Sequence, residues 1–580
     1  MWPPEMSLDY EALPRDYPRR YLPVTVDLTD WNQIGKYFDE LRLREPGSVQ
    51  DLKGWLDDYS EVFVAMSEAA SIRYVRMTEQ TDRDDYRAAY LAFVENIESK
   101  VKVAQFYLNR KFVESQFRKS LPPGDYSVLE RKIENSVRLF RGENVELEKE
   151  ERKLAQRQQS IAGSMTVSYE GRERTMPEMS KYLELPDRAK REESWRLTQG
   201  RMARDRDQMD EIFDGMLKLR DSIARNAGFE NYRDYSFVAH ERFDYGPEDC
   251  FRFHDAVEKT IVPLVREVHQ IRKKEMDLDS IRPWDLLVDT RGRVPLRPFK
   301  TTPELVRGCE LVFEKVDPAF AERFRTMARL GLLDLESRPG KAPGGYNTEF
   351  LDVRLPFIFM NSVGRDQDVW TLLHESGHAF HVFEMRDRRL HYLYRSDNTP
   401  TEIAEVASMS MELLGGEHLV GSFYDEADAV RSRNDHFLSI ASLLPWIATI
   451  DAFQHWLYTN PGHSRDARRD AWVKTYDRFG PGVDWDGLDA EKRSFWQRQI
   501  HIFQSPFYYI EYGIAQLGAL GIWSRYLRDP KATVRAYRDA MALGGSRPLP
   551  ELFNRAGLPW DFGAGNVETY GRELRRILIQ

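Results

Sequence analysis

Sulfur is scarce: the 580 residues include only two cysteines, Cys250 and Cys309. Two thiols cannot build a disulfide framework, and in a reducing compartment a shielded thiol is ordinarily core, so a cytoplasmic protein with two buried cysteines is expected. A surplus of positive charge is also missing. The 84 Lys and Arg stand against 94 Asp and Glu, for a formal charge of -10, and the basic residues are mixed with acids rather than striped. That pattern speaks against a nucleic-acid partner. No uncharged apolar run reaches the roughly 18 to 20 residues that cross a bilayer. The longest, 437–450, contains Pro445 and reads as a buried helix pair, so no membrane partner is expected. The stretch Met1–Arg20 holds four prolines and several acids before any apolar run. It lacks the charged-then-apolar order of a secretory signal, and the mature chain is expected to begin at or near residue 1. Internal repeats and low-complexity tracts are absent, and nothing in the pattern speaks to oligomeric state.

What the chain does have is length and helical patterning. It exceeds the size one hydrophobic core serves, so two or more packed lobes with a cleft are the default. Apolar residues recur at three- and four-residue spacing over 84–117, 143–159, 187–226 and 245–276, which makes the fold mostly α. An alternating stretch, Met165 to Tyr169, is followed by Glu170-Gly171 and by 172–176, a hairpin pattern with a Gly-containing turn. It lies between helical blocks and is taken to mark a change of lobe, with a helical N-terminal lobe over 1–185 and the remainder over 186–580. Glycine and proline crowd 338–346, an irregular loop by composition. A β-like run, Leu355 to Asn361, follows, and helical phase resumes at Val369. The stretch 20–30 reads as an extended piece or a surface strap.

The helix beginning near Val369 contains His374-Glu375-Ser376-Gly377-His378. With 12 histidines in the chain, about 0.02 chance occurrences of this pattern are expected. Residues four apart on a helix project from one side about 6 Å apart along the axis, so two imidazoles can converge on one ion. Glu375, turned by about 100°, can face the reacting water instead. The bland alternative, two solvated histidines, sits poorly with the apolar neighbours Leu372, Leu373, Ala379 and Phe380.

Catalytic zinc needs a third protein ligand and an open position. Glu384 lies about 15 Å along the same helix and is too far. His381 would set three ligands nearly in line, which a tetrahedral ion resists, and reads as a packing or substrate-side residue. His381 and Glu384 stand where a metzincin would carry Gly and His, which excludes that subclass. In the next helix, Thr399, Pro400 and Glu402 read as N-cap, first helical residue and capping-box partner. Glu405 lies opposite the apolar stripe of Ile403, Ala407 and Leu414 and is free to reach across. Glu412, seven residues on, shares its face and is suited to orienting a ligand. Spacing favours Glu405 without deciding the matter.

The segment Asp368 to His381 resembles the ligand helix of the oligoendopeptidase F and thimet oligopeptidase family of zinc peptidases, more closely the oligoendopeptidase F branch. The resemblance runs through most of the chain from about residue 160. It extends to Gly344-Gly345-Tyr346, to Pro356 through Asn361, and to Ala227 through Tyr232. It implies that Glu405, in Ala404-Glu405-Val406-Ala407-Ser408, is the third ligand. It further implies one zinc per chain, two helical lobes enclosing a deep substrate channel, a small β element beside the zinc-binding helix, and unstructured oligopeptides as substrates. The segment His501 to Tyr512 would otherwise pass for amphipathic core. By resemblance, His501 and Tyr512 face the scissile carbonyl, with Tyr509, or Tyr508 in its place, beside them.

The function expected is hydrolysis of internal bonds in short peptides by a metal-activated water, with Glu375 as general base and His501 and Tyr512 as oxyanion donors. An extended peptide is expected to lie along the strand Phe357–Asn361 as an added strand, an expectation balanced against that strand being a buried prop. The rivals are a zinc exopeptidase of peptidyl-dipeptidase or carboxypeptidase type, and a non-catalytic peptide-binding scaffold. No terminus anchor can be picked out for the first. The second has no need of Glu375, since structural zinc ordinarily takes four protein ligands.

Overall fold

The computed structural model describes residues 8–394 and 398–579. It is mostly α, as the periodicity requires. The four helical blocks appear as Asp84–Phe93, a π-turn at Val94–Glu98 and Ser99–Glu114; Asn144–Gly163; Arg188–Asn226; and Pro247–Glu275. Two compact units are formed from interleaved segments. The first combines Met1–Arg138, Leu296–Ser432 and Gly518–Trp560; the second combines Leu139–Pro295, Arg433–Leu517 and Asp561–Gln580.

In the first unit, the helix Val49–Glu79 presents Trp55, Tyr59, Phe63 and Met66 at helical spacing to Phe38, Phe112 and Leu129, a continuous buried cluster. The indole of Trp55 donates to Leu41 O at 2.8 Å, so its polar atom is satisfied inside the core. Residues 20–30 form a strap without strands, tied down by Glu61, whose carboxylate accepts the N–H groups of Arg20, Tyr21 and Leu22 at 2.7–2.8 Å.

The sheet beside the metal-motif helix consists of β3 (Leu333–Glu336), β4 (Tyr346–Phe350) and β5 (Leu355–Ser362), after the hairpin strands β1 (Thr166–Tyr169) and β2 (Arg172–Thr175). Its order is β3-β5-β4, parallel on one side and antiparallel on the other. The segment Phe357–Asn361 is therefore central rather than an edge, and it cannot accept a peptide as an added strand. Every residue from Leu355 to Met360 is buried, as a strand covered on both faces should be. The Gly/Pro loop before β4 is fixed by Lys341, whose ammonium donates to Asp334 O, Glu336 O and Met360 O, and by Asn361, whose amide donates to Ala342 O and Gly344 O.

In the second unit, β1 and β2 pair antiparallel with Tyr169 opposite Arg172. The intervening Glu170 and Gly171 both have positive φ, 53° and 74°, the requirement of a tight two-residue hairpin turn. The hairpin lies inside this unit. The apolar run 437–450 belongs to one uninterrupted helix, Glu426–Thr459, and not to the helix pair expected from Pro445. Proline's missing N–H costs one helical bond, but the surrounding core holds the helix together. By length and composition this helix could cross a bilayer; 61% of its most apolar window is buried within the protein, as in the core helix of a globular domain.

Candidate active site

The motif occupies the helix Asp366–Met385. Its start is fixed by Asp368, whose carboxylate accepts the N–H groups of Val363 at 2.7 Å and Arg365 at 2.9 Å. Fourteen of the helix's 20 residues are buried, and Phe380 stacks on Phe320 at 4.7 Å between ring centroids and meets Phe313 edge-on at 4.9 Å. Most of this helix packs into the core, so its histidines are held rigidly.

The second helix, Thr401–Gly416, crosses it closely. Gly377 is the reason it can: a Cβ there would lie 2.5 Å from Ser408 Cα and 2.6 Å from Ala407 O. The capping expected at Thr399 does not form. The helix begins at Thr401 after Pro400 with no side-chain cap, and the Thr399 hydroxyl donates instead to Tyr394 O at 3.2 Å.

This crossing gathers His374, His378 and Glu405, whose ligand atoms all lie within 4.8 Å of one another. Glu405 Oε2 is 3.4 Å from His374 Nε2 and 3.7 Å from His378 Nε2. Tetrahedral zinc with bonds near 2.0–2.2 Å sets its ligand atoms about 3.3–3.6 Å apart, so this donor set of two imidazoles and one carboxylate fits that ion closely. His374 Nδ1 donates to Glu412 Oε1 at 2.6 Å, which leaves the Nε2 lone pair free to face the cluster. The Ser408 hydroxyl donates to Glu405 Oε2 at 2.9 Å. Glu384 is engaged by Arg538 at 2.6 Å and by Arg323, and His381 is 1% exposed and packs in the core.

The electrostatics are those of a cation site. Burial works against charge on His374, but the Glu412 hydrogen bond and the charges of Glu412, Glu405 and Glu375 outweigh it and push the imidazole up to about 10. Burial pushes the Glu375 carboxyl up to about 7, against the pull of His374 and with further help from Glu405 and Glu412. Burial also raises Glu405, opposed by His374 and Ser408. Three carboxylates around two imidazoles make a negative field that holds a proton or a metal cation.

His501, Tyr508, Tyr509 and Tyr512 belong to the second unit. They form one aromatic cluster there: the His501 ring is 4.8 Å from Tyr509, 6.0 Å from Tyr512 and 6.2 Å from Tyr508. Trp446 Nε1 donates to Gln499 Oε1 at 3.0 Å, which turns the Gln499 amide NH2 toward His501 Nδ1 at 2.7 Å. His501 Nδ1 is therefore the acceptor and its proton sits on Nε2. Burial lowers the His501 imidazole below its ordinary range, which keeps it neutral. Tyr508 and Tyr512 are half-buried, whereas Tyr509 is 9% exposed and its hydroxyl is engaged with Gln499 and Trp446. Phe507, between the histidine and the tyrosines, has φ 67°. Its conformation is pinned by Gln454 Oε1, which accepts the Phe507 N–H at 2.8 Å, and by the Arg242 guanidinium, which donates to Phe507 O. Sequence reasoning missed Gln499 and Trp446, which no motif marks.

The sequence profile described as "Peptidase family M3" matches residues 181–565, and that of "Peptidase M3 N-terminal domain" matches 23–140. Among curated relatives, the chain is 25% identical over 324 residues to "Oligopeptidase PepF" of Bacillus subtilis, covering 54% of this chain and 46% of that protein. It is 23% identical over 312 residues to "Oligoendopeptidase F homolog" of Borreliella burgdorferi, covering 50% and 49%. The chain thus spans about half the length of the curated relatives it matches. Among solved structures, "PZ peptidase A with inhibitor 2" superposes with a TM-score of 0.87 at 28% identity, covering 96% of this chain and 99% of that one. The resemblance read from the motif helix thus holds along almost the whole fold, and the chain belongs to Peptidase family M3.

Proposed function

We propose that this protein is a zinc endopeptidase that hydrolyses internal bonds of short, unstructured oligopeptides in the cytoplasm, with one zinc at this centre held by His374, His378 and Glu405. The observation that carries the reading is the convergence of two imidazole Nε2 atoms and one carboxylate at a helix crossing that also presents Glu375. When bound, zinc supplies Lewis acidity, making a water more acidic and polarising the peptide carbonyl. Glu375 accepts the proton of the attacking water and returns it to the leaving amine. Glu412 keeps His374 in the tautomer whose Nε2 is free, and Ser408 fixes the Glu405 carboxylate.

His501 and Tyr512 donate to the oxyanion of the tetrahedral intermediate. The Gln499 contact supports this role for His501, since a neutral ring with its proton on Nε2 is a donor. Tyr509 stands beside them in the same aromatic cluster, and Tyr508 is the more accessible of the two. Peptide docks in extended form along β4 rather than β5. β4 is an edge of its sheet, its residues Tyr346 to Thr348 are half-buried, and the Asn347 amide points at Glu375 O. Main-chain pairing of this kind tolerates many side chains. The division into an N-terminal lobe over 1–185 and a catalytic domain over 186–580 belongs to the same reading, supported by the two profile matches.

The test is cleavage of a quenched fluorescent peptide of about ten residues, a length that fills several main-chain pairing positions, with product masses, before and after chelation and zinc return. Internal cleavage that is lost with chelator and regained with zinc is expected. Terminal dipeptides or single residues as the products would make it an exopeptidase, and no cleavage by zinc-loaded protein would leave the peptide-binding scaffold.

A further inference from the structure

A second group of metal-ligating side chains lies wholly within the second unit. Cys250 and His254 are four residues apart on the helix Pro247–Glu275, and Asp451 and His455 are four apart on the helix Glu426–Thr459. Each pair therefore shares a helix face, and the two faces meet. The ligand atoms of Cys250, Asp451 and His455 lie within 4.8 Å of one another, and His254 Nε2 is 2.8 Å from Asp451 Oδ2. All four side chains are buried, Cys250 and Asp451 at 0% exposure.

Without an ion, this cluster is poorly satisfied. Asp451 Oδ1 and His455 Nδ1 have no hydrogen-bond partner among the described residues, and His455 Nε2 has only its 3.3 Å contact with Asp451 Oδ2. Buried polar atoms left unpaired are costly, and Asp451 Oδ1 and His455 Nδ1 are left available to a ligand. Aromatic rings close the surroundings. Phe251, Phe507 and Phe237 lie 4.8, 5.3 and 5.8 Å from the His455 ring, and Phe479 lies 6.0 Å from the His254 ring. The cation whose charge bears on Cys250 is Arg242, itself paired with Glu511 at 2.9 Å.

We propose that Cys250, His254, Asp451 and His455 form a second metal site, structural rather than catalytic, that takes a borderline-soft divalent cation of the zinc type. Four ligands of sulfur, nitrogen and carboxylate oxygen, with no open position, make a closed tetrahedral set. Bond lengths of about 2.0–2.3 Å would set the ligand atoms about 3.3–3.8 Å apart, so Cys250, Asp451 and His455 draw in by at most about 1.0–1.5 Å from their 4.8 Å limit, while His254 Nε2 and Asp451 Oδ2 part from 2.8 Å. His254 exchanges its hydrogen bond to Asp451 for a metal–nitrogen bond, with its ring proton on Nδ1. Cys250 loses its thiol proton to solvent on binding, so thiolate, carboxylate and dication sum to zero charge in the core. Burial, helped by the charge of Asp451, raises the Cys250 thiol well above its ordinary value, and coordination is what ionises such a thiol. The site locks two long helices together, and its four side chains, 0–5% exposed, are shut off from substrate.

The test uses the full-length chain produced in cobalt-supplemented medium, because a site this enclosed loads during folding. The centre of His374, His378 and Glu405 contains no sulfur, so a near-ultraviolet thiolate-to-cobalt charge-transfer band reports only on the second site. Two metal ions per chain are expected, with that band in the wild type. Cys250→Ser abolishes the band, and His455→Ala lowers the count to one. A wild-type chain with one ion and no band overturns the proposal, as does a band that survives Cys250→Ser. If the variants fail to fold, the wild-type metal count and spectrum decide alone.

Discussion

The protein builds two metal-ligating clusters from side chains four residues apart on a helix, one such pair with a carboxylate from a second helix at the first and two such pairs at the second, yet the clusters are fitted for different tasks. At the first, His374 and His378 remain 24% and 21% exposed, Glu405 is 10% exposed, and Glu375 is turned beside them. At the second, Cys250, His254, Asp451 and His455 are 0–5% exposed behind a wall of phenylalanines. The spacing rule makes a site; access and a spare carboxylate make it one that can turn over a substrate. The electrostatics follow the same division. Glu412, Glu405 and Glu375 place an excess of negative charge around the first site, whereas the acidic groups of the second balance one dication.

The largest expected effect separates the two clusters outright. His378→Ala is expected to lose the ion of the first centre and all measurable peptide hydrolysis while keeping the thiolate–cobalt band of the second; metal analysis, a peptide assay and absorbance check the three readouts together. Next comes Tyr512→Phe, which removes one oxyanion donor and is expected to lower kcat by about 10² to 10³ with zinc content unchanged. Steady-state kinetics with metal analysis would show it, and a change confined to KM would reassign Tyr512 to substrate binding. Glu412→Ala frees His374 Nδ1 and is expected to weaken zinc affinity or activity by about 10- to 100-fold, measured by titration with a competing chelator. Gly377→Ala acts through packing. Its Cβ would fall 2.5 Å from Ser408 Cα, and the overpacked crossing is expected to lose about 1–3 kcal/mol of stability in urea unfolding, with a looser ligand set as the secondary result.

The first cluster was legible in the sequence because all but one of its essential parts sit within five residues, and a helical period places them. The third ligand needed the family resemblance, since Glu405 and Glu412 share a face and spacing favours one without excluding the other. The second cluster was hidden: His254 and Asp451 lie 197 residues apart, and neither Cys-x-x-x-His nor Asp-x-x-x-His is remarkable alone. Strand order was hidden for the same reason. β3, Leu333–Glu336, pairs in parallel with β5 from outside any local pattern, and that pairing turned an expected edge into a central strand. Thr399 looked like a cap, but tertiary contacts hold its neighbourhood: Asn398 O accepts from Lys132 at 2.7 Å, and a Cβ on Gly545 would lie 2.2 Å from the same oxygen. Pro445 predicted a break that the core around the 34-residue helix overrides.

Glu375→Gln, assayed for zinc content and peptide turnover on the same preparation, tests the central claim most directly. The side chain keeps its shape and is not one of the ligands, so both ions are expected to stay while turnover falls by about 10² to 10⁴, the share a general base supplies. A Glu375→Gln protein that binds zinc and cleaves peptide at the wild-type rate would contradict the account.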